Sequence, residues 1–338
     1  MESVVIARAP VCLNLGDDLD VAGFSSALSG SVAISVAISY YVYAILTTSQ
    51  LDGVQVTFNG EQVFSKCSLK GNQEQCSELD MLGAIVRHFN IQEGQRVFVA
   101  SQAPIRGGLS MRGSLAISMI KVLAFRCGLD LEPDAIVELA TQIDGYKEEP
   151  LGSLQDPYAA AHGGLWLLDY SSSTVAAKPI KLPAKTIAAL EQGLMLFGHT
   201  PSVLPVASSD GGGGRETRRS IDRGATDRMR ELVIDICCEL ERGDVDCFGR
   251  LLHQSWIHHS QIFGIEHALA QCYETALDCG ALGGKVVGDA KDSFLLLYCP
   301  SAYKQMVAKA LTEMGMQQWP FTLEGKGVQV MHAMPWSW

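Results

Sequence analysis

The segment APIRGGLSMRGSLAISMIKVL places Gly107, Gly108 and Gly113 just ahead of an apolar run. Glycine lets the backbone approach a ligand closely, and a helix start offers unpaired N–H groups and the positive end of the helix dipole. The chemistry on offer is the binding of an anion such as phosphate. The same composition also builds a tight strand-to-helix turn, and the loop alone leaves both readings open. Two common nucleotide patterns are absent. A Walker loop needs Gly, four residues, then Gly-Lys-Ser/Thr, and around Gly284-Lys285 the required places hold Cys279 and Val286. No GxGxxG lies between a strand and a helix pattern, which sets aside a dinucleotide fold. His253, His258 and His259 near Cys247 match no common zinc spacing and read as solvated helix histidines, so no zinc site is assigned.

The elements that must hold such a loop follow from periodicity. Strands are expected over 4–6, 32–46 and 53–58, then a turn at Asn59-Gly60 and a short strand through Phe64. A helix over 77–89 and a strand over 95–100 follow. The stretch SLAISMIKVLAFRC over 114–127 is apolar nearly all round, the mark of a buried helix. Ile136, Leu139, Ala140 and Ile143 space a further helix over 133–146. The second half begins with a strand over 193–198 and a glycine-rich loop, DGGGGRETRR, expected to be mobile. Helices over 226–240, 245–257 and 265–279 precede strands over 285–287 and 294–298. A domain break is expected between 171 and 193, and no internal repeat is visible.

With 338 residues, 47% hydrophobic and 19% charged, the chain has the make-up of a globular protein of two domains. Its 26 Lys and Arg against 37 Asp and Glu give a net charge of −11, so the average surface repels nucleic-acid backbones and anionic lipid. The apolar stretch over 30–46 alternates at Val32, Ile34, Val36 and Ile38, and reads as a strand rather than a membrane span. The opening MESVVIARAP lacks the basic region of a secretory signal. Ten cysteines without CxxC spacing fit buried thiols in a reducing cytoplasm.

Several segments, taken in order, resemble one family. RAPVCLNLGDDLD over 8–20 looks like the opening RAPxRxSFGGGTD, and the loop over 104–115 like the phosphate loop PxGSGLGSSSAL. QDPYAAAHGG over 155–164 is close to QDQYAAAFGG, and GALGGKVVGDAKDSF over 280–294 to GALGGKLLGAGGGGF. Between them GDVDCFGRLLHQSW resembles GDLxxFGxLLHxxW, and WPFTLEGKGVQV resembles a terminal PFxFxxxG segment. The family is the GHMP kinases, in the sugar-kinase branch typified by heptose 7-phosphate kinase and fucokinase. The resemblance implies an α+β fold of two domains, 1–180 and 190–338, the second ferredoxin-like. It further implies ATP with Mg2+, and transfer of the γ-phosphoryl group to a hydroxyl of a small sugar; the charge balance adds no nucleic-acid or membrane partner, and a homodimer is the assembly to test. Asp156 then matches the catalytic Asp, although the same residue also suits a helix cap. Asp144 falls at the magnesium-binding acid. Asp20 and Arg8 fall on the sugar side, and Gly107, Gly108, Ser110, Arg112, Gly113 and Ser114 at the nucleotide.

The departures from the family concentrate on the nucleotide side. Met111 and Arg112 replace two serines of the phosphate loop, and Asp289-Ala290-Lys291-Asp292-Ser293 replaces a glycine run. Asp17-Asp18-Leu19 stands where Gly-Gly-Thr is expected. Two readings follow. A kinase has rebuilt its phosphate site around Arg106, Arg112 and the Arg215, Arg218, Arg219 cluster. Alternatively, a catalytically altered or inactive homologue keeps the scaffold and binds a sugar-like or acidic ligand, or a protein.

Overall fold

The computed structural model describes residues 4–17, 32–48, 54–58, 61–62, 77–91, 94–103, 109, 111–144, 155–169, 175–198, 223–263, 267–288 and 293–333. They form a mixed α+β protein with two sheets. The glycine-rich loop over 210–219 lies outside the described residues, as do residues 334–338 with Trp336 and Trp338.

The first half builds an eight-stranded sheet around its two longest strands, β1 (Val4–Asp17) and β2 (Val32–Thr48), which pair antiparallel along most of their length. From Val32 to Ile38 every residue of β2 is buried, and from Tyr41 onward burial alternates. One end of the strand is therefore covered on both faces and the other on one. β5 (Gln95–Ser101) pairs with the later half of β2, and β3 (Val54–Phe58) runs parallel to β5, with β4 (Glu61–Gln62) at the edge. The parallel pair requires a crossover, which contains α1 (Ser77–His88). The buried end of β2 pairs with β6 (Leu165–Asp169), which carries β7 (Ala176–Ile180).

One helix dominates the covered face. α2 (Met111–Arg126) is buried on nearly every side because Gly113, Ser114, Ala116 and Ser118 let neighbours close in around Leu115, Ile117, Ile120 and Leu123. Each such Leu or Ile contributes roughly 1.5–3 kcal/mol when fully buried. α2 packs on β1 and β2 and is flanked by α1, α3 (Pro133–Asp144) and α4 (Gln155–His162).

The second sheet has the order β11 (Gln317–Gln318), β8 (Leu194–Gly198), β10 (Phe294–Tyr298), β9 (Gly283–Val287), all antiparallel. β10 is buried at all five positions, since Phe294, Leu296 and Tyr298 face the core shared with the first sheet while Leu295 and Leu297 face a second cluster. α5 (Ala184–Gly193), α6 (Arg223–Arg242), α7 (Val245–Phe263), α8 (His267–Asp278) and α9 (Lys304–Glu313) complete this half. The stretch read as a domain break thus contains β7 and α5. The last strand, β12 (Gln329–Ala333), returns to the first sheet and pairs antiparallel with β1.

No helix among the described residues is long and apolar enough to cross a membrane. Among the described cysteines all are free thiols, with Cys12, Cys237, Cys272 and Cys299 buried and Cys127 exposed. Burial pushes the Cys237 and Cys299 thiols up to about 11.

Candidate active site

The start of α2 is tied to β1 at two points. The Cys12 N–H donates to the Leu109 carbonyl at 3.3 Å, and the Ser114 hydroxyl donates to the Pro10 carbonyl at 2.7 Å. Arg112 is half-buried, Gly113 and Ser114 are buried, and the Met111 side chain is 4% exposed. The first four N–H groups of the helix have no intrahelical acceptor, and no acidic residue stands in its first turn. This end of the helix suits an anion. Gly107, Gly108 and Ser110 lie outside the described residues.

Two further segments named from the sequence lie on helices that pack against α2. Asp144 is the last residue of α3 and Asp156 the second residue of α4, and α4 packs against α2, α3, β1 and β2. Asp20 and the side chains of Asp144 and Asp156 lie outside the described positions. Ala159, Ala160 and Ala161 are fully buried, and their small side chains seat α4 close to its neighbours. Its end is fixed by three contacts. His162 Nε2 lies 2.9 Å from Asp134 Oδ1, the His162 ring lies against Trp166 at 4.6 Å between centroids, and Trp166 Nε1 donates to the Gly163 carbonyl at 2.7 Å.

Arg8 is placed differently. Ala7 and Ala9 on either side of it face the core, so its side chain projects to the other face of β1. There the guanidinium lies 4.2 Å over the Tyr41 ring, and Nη2 donates to Gln329 Oε1 at 3.3 Å. The Tyr41 hydroxyl donates to the Glu324 carboxylate, and burial with that carboxylate pushes Tyr41 up to about 12. Arg112, Gly113 and Ser114 are therefore together on α2, and Arg8 belongs to a separate cluster with Tyr41, Glu324 and Gln329.

The terminal segment is the part of the site that motif reading left without a role. Residues 319–328 run as a strap from the second sheet over β2 to the end of α4. The Trp319 N–H donates to Leu196, the Leu323 N–H to the Glu191 carboxylate, the Glu324 N–H to Ala37 and the Val328 N–H to Ala161. The quoted PFTLEG was its one signal in the sequence. Of the histidines read as solvated, His253 has its Nδ1 2.8 Å from the Tyr273 hydroxyl, whose pKa burial raises. Glu239, Asp244 and Cys247 have ligand atoms within 4.8 Å of one another. Asp244 Oδ1 accepts the Cys247 N–H at 2.8 Å as a cap of α7, and Glu239 pairs with Arg242 at 2.6 Å.

Residues 79–164 match the family described as GHMP kinases N terminal domain, a span that holds α2, α3 and α4 entire. The D-glycero-alpha-D-manno-heptose 7-phosphate kinase of Campylobacter jejuni subsp. jejuni is 25% identical over 332 residues, covering 94% of this chain and 96% of its own. The fold is shared with the D-glycero-D-manno-heptose 1-phosphate kinase of Bacteriodes thetaiotaomicron at a TM-score of 0.74 and 20% identity, over 98% of this chain and 99% of that one. It is shared as well with the galactokinase of Lactococcus lactis complexed with galactose, at a TM-score of 0.71 and 14% identity over 96% and 95% of the two chains.

Proposed function

We propose that this chain, which carries a GHMP kinase N-terminal domain, is a sugar kinase that moves the γ-phosphoryl group of ATP to a hydroxyl of a sugar phosphate of the heptose 7-phosphate kind. The observation that carries this reading is the near full-length similarity to a heptose 7-phosphate kinase. We read 1–180 and 190–338 as its two domains, the second ferredoxin-like, with β12 returned to the first.

In this reading the sugar hydroxyl oxygen attacks the γ-phosphorus. The new O–P bond forms as the bond to the β-bridging oxygen breaks, and ADP leaves with that electron pair. The Asp156 carboxylate orients the hydroxyl and takes its proton. The N–H groups at the start of α2, those of Arg112 and Gly113 among them, face the phosphates, and the Arg112 guanidinium supplies positive charge where the family has serine. Asp20 holds the sugar. Magnesium takes hard oxygen ligands, which the Asp144 carboxylate offers and the buried Met111 thioether does not, so Asp144 would hold the ion and the ion would neutralise phosphate charge.

One observation favours the second reading, a catalytically altered homologue that binds a sugar-like or acidic ligand, or a protein. Met111 is buried in the first turn of α2 and the Ser114 hydroxyl donates to the Pro10 carbonyl, so that turn lacks the hydroxyls the family's serines present to phosphate and magnesium. Calorimetry with ATP, with and without magnesium, separates the two. The kinase binds magnesium-ATP and turns over a heptose 7-phosphate, and Asp156→Asn lowers turnover about 10²- to 10⁴-fold with nucleotide affinity kept. No measurable binding of magnesium-ATP by the unaltered protein would sink the kinase.

A further inference from the structure

We infer that the strap over 319–328 is the positioning element for α4, and that Glu324 and Gly327 hold this helix so that Asp156 keeps one place relative to both sheets. The inference rests on the reading of Asp156 given above. Its physical basis is the poverty of α4 as a free-standing element. A helix of eight residues has two turns, and helices shorter than about 12–15 residues are marginal without tertiary support. Its final carbonyls have no partner within the helix.

The strap supplies what is missing. The Val328 N–H donates to the Ala161 carbonyl at 3.1 Å. Just past the helix, the Gly164 N–H donates to the Glu324 carbonyl at 2.7 Å and the Gly164 carbonyl accepts the Ala37 N–H at 3.0 Å. Glu324 is the junction of these bonds. Its own N–H donates to Ala37 at 2.8 Å, and its carboxylate accepts the Lys326 N–H at 2.7 Å and the Tyr41 hydroxyl. A Leu323 N–H bond of 2.8 Å to Glu191 on α5 and a Trp319 N–H bond of 2.8 Å to Leu196 on β8 tie the same segment to the second sheet and its helix. The end of α4 thus joins β2, α5 and β8 through a single stretch of chain.

Two glycines set how close the strap lies. Gly163 has φ +75°, and a Cβ there would overlap the backbone of residues 325–327. A Cβ on Gly327 would overlap the carbonyl group of Ala161. Both obstacles are main chain, so neither moves aside as a flexible side chain would. An added methyl at Gly327 must push the strap and the last turn of α4 apart. Asp156 lies five residues from Ala161, about 7.5 Å along the helix axis, and a two-turn helix moves as a rigid unit. A shift of about 1 Å in a reacting group costs about 10²-fold in rate.

The test uses the full chain with steady-state kinetics and hydrogen–deuterium exchange. Gly327→Ala is expected to lower kcat about 10²-fold with KM for ATP and sugar phosphate within about twofold. Exchange over 155–162 should rise while that of α9 stays as it was. Adding Gly327→Ala to Asp156→Asn should cost nothing further, because both changes remove the same group from its place. Unchanged exchange over 155–162 overturns the inference, as does a loss confined to KM or a double variant whose losses multiply. Asp156→Asn with normal turnover removes instead the assignment of Asp156, and the exchange measurement still decides whether the strap holds α4. If Gly327→Ala does not fold, Glu324→Gln keeps the size of the side chain, weakens its charged hydrogen bonds and should act in the same direction to a smaller extent.

Discussion

Ser114 and Tyr41 hold elements together through hydroxyls that a truncation can remove one at a time. The Ser114 side chain is fully buried and donates to Pro10, so Ser114→Ala strips that buried carbonyl of a hydroxyl donor. The expected cost is about 1–3 kcal/mol, read as a lower denaturation midpoint at unchanged slope. Tyr41 offers a test in pH. Its proton leaves near 10 in the unfolded chain and at about 12 in the folded one, chiefly because the phenol is buried beside the Glu324 carboxylate. Between these values the folded state binds more protons, so this contribution is complete below pH 10 and is lost as pH rises toward 12. Tyr41→Phe should fall less steeply in that window than the parent protein. Tyr273 and Tyr298, also raised by burial, leave a residual slope in both. Equal slopes would show that the phenol proton is held no tighter in the fold.

The N-terminus of α2 brings together a helix start, four buried or half-buried residues and no acid, and it is where the two functional readings diverge. If Arg112 stands in for the family's serine, Arg112→Ser should weaken binding of a phosphorylated ligand by about 1.5–3 kcal/mol, with the loss shrinking as salt is added. An affinity that ignores both the substitution and the salt would remove Arg112 from the anion site. The existence of α2 was legible because the stretch over 114–127 is apolar nearly all round, and β2 because its alternation is long. Other elements hid for physical reasons. β7 reads AAKPI, with a lysine and a proline on a mostly exposed edge, and its exposure leaves no apolar period to detect. β1 was foreseen over 4–6 and extends to Asp17, because pairing with β2 carries the extended backbone through Pro10 and Asn14. At the site, that α2, α3 and α4 carry the candidate residues followed from motif order. The separate placement of Arg8 did not, because motif spacing says which residues recur and not which face of a strand each one shows.

At the scale of the whole molecule, the two sheets share one core. Leu194, Leu196, Phe294 and Leu296 of the second sheet belong to the same buried cluster as Ala7, Val36 and Leu115 of the first half. Motion of one sheet against the other therefore has to pass through packed side chains and the strap, which makes the strap the natural place to look for coupling between the two halves. The return of β12 to β1 also bears on how the protein is made. β1 is synthesised long before its outer partner β12, from which more than 300 residues separate it. At roughly 5–20 residues per second, one edge of β1 waits about 15–60 s during synthesis for the strand that covers it. For that interval it presents Val5, Ile6 and Ala7 with unpaired backbone donors and acceptors, the pattern that recruits another strand. A chain cut after Val328 should keep this vulnerability permanently and accumulate as higher oligomers at a concentration where the full chain does not. Size-exclusion profiles that match would show that the newborn edge is guarded by something other than β12.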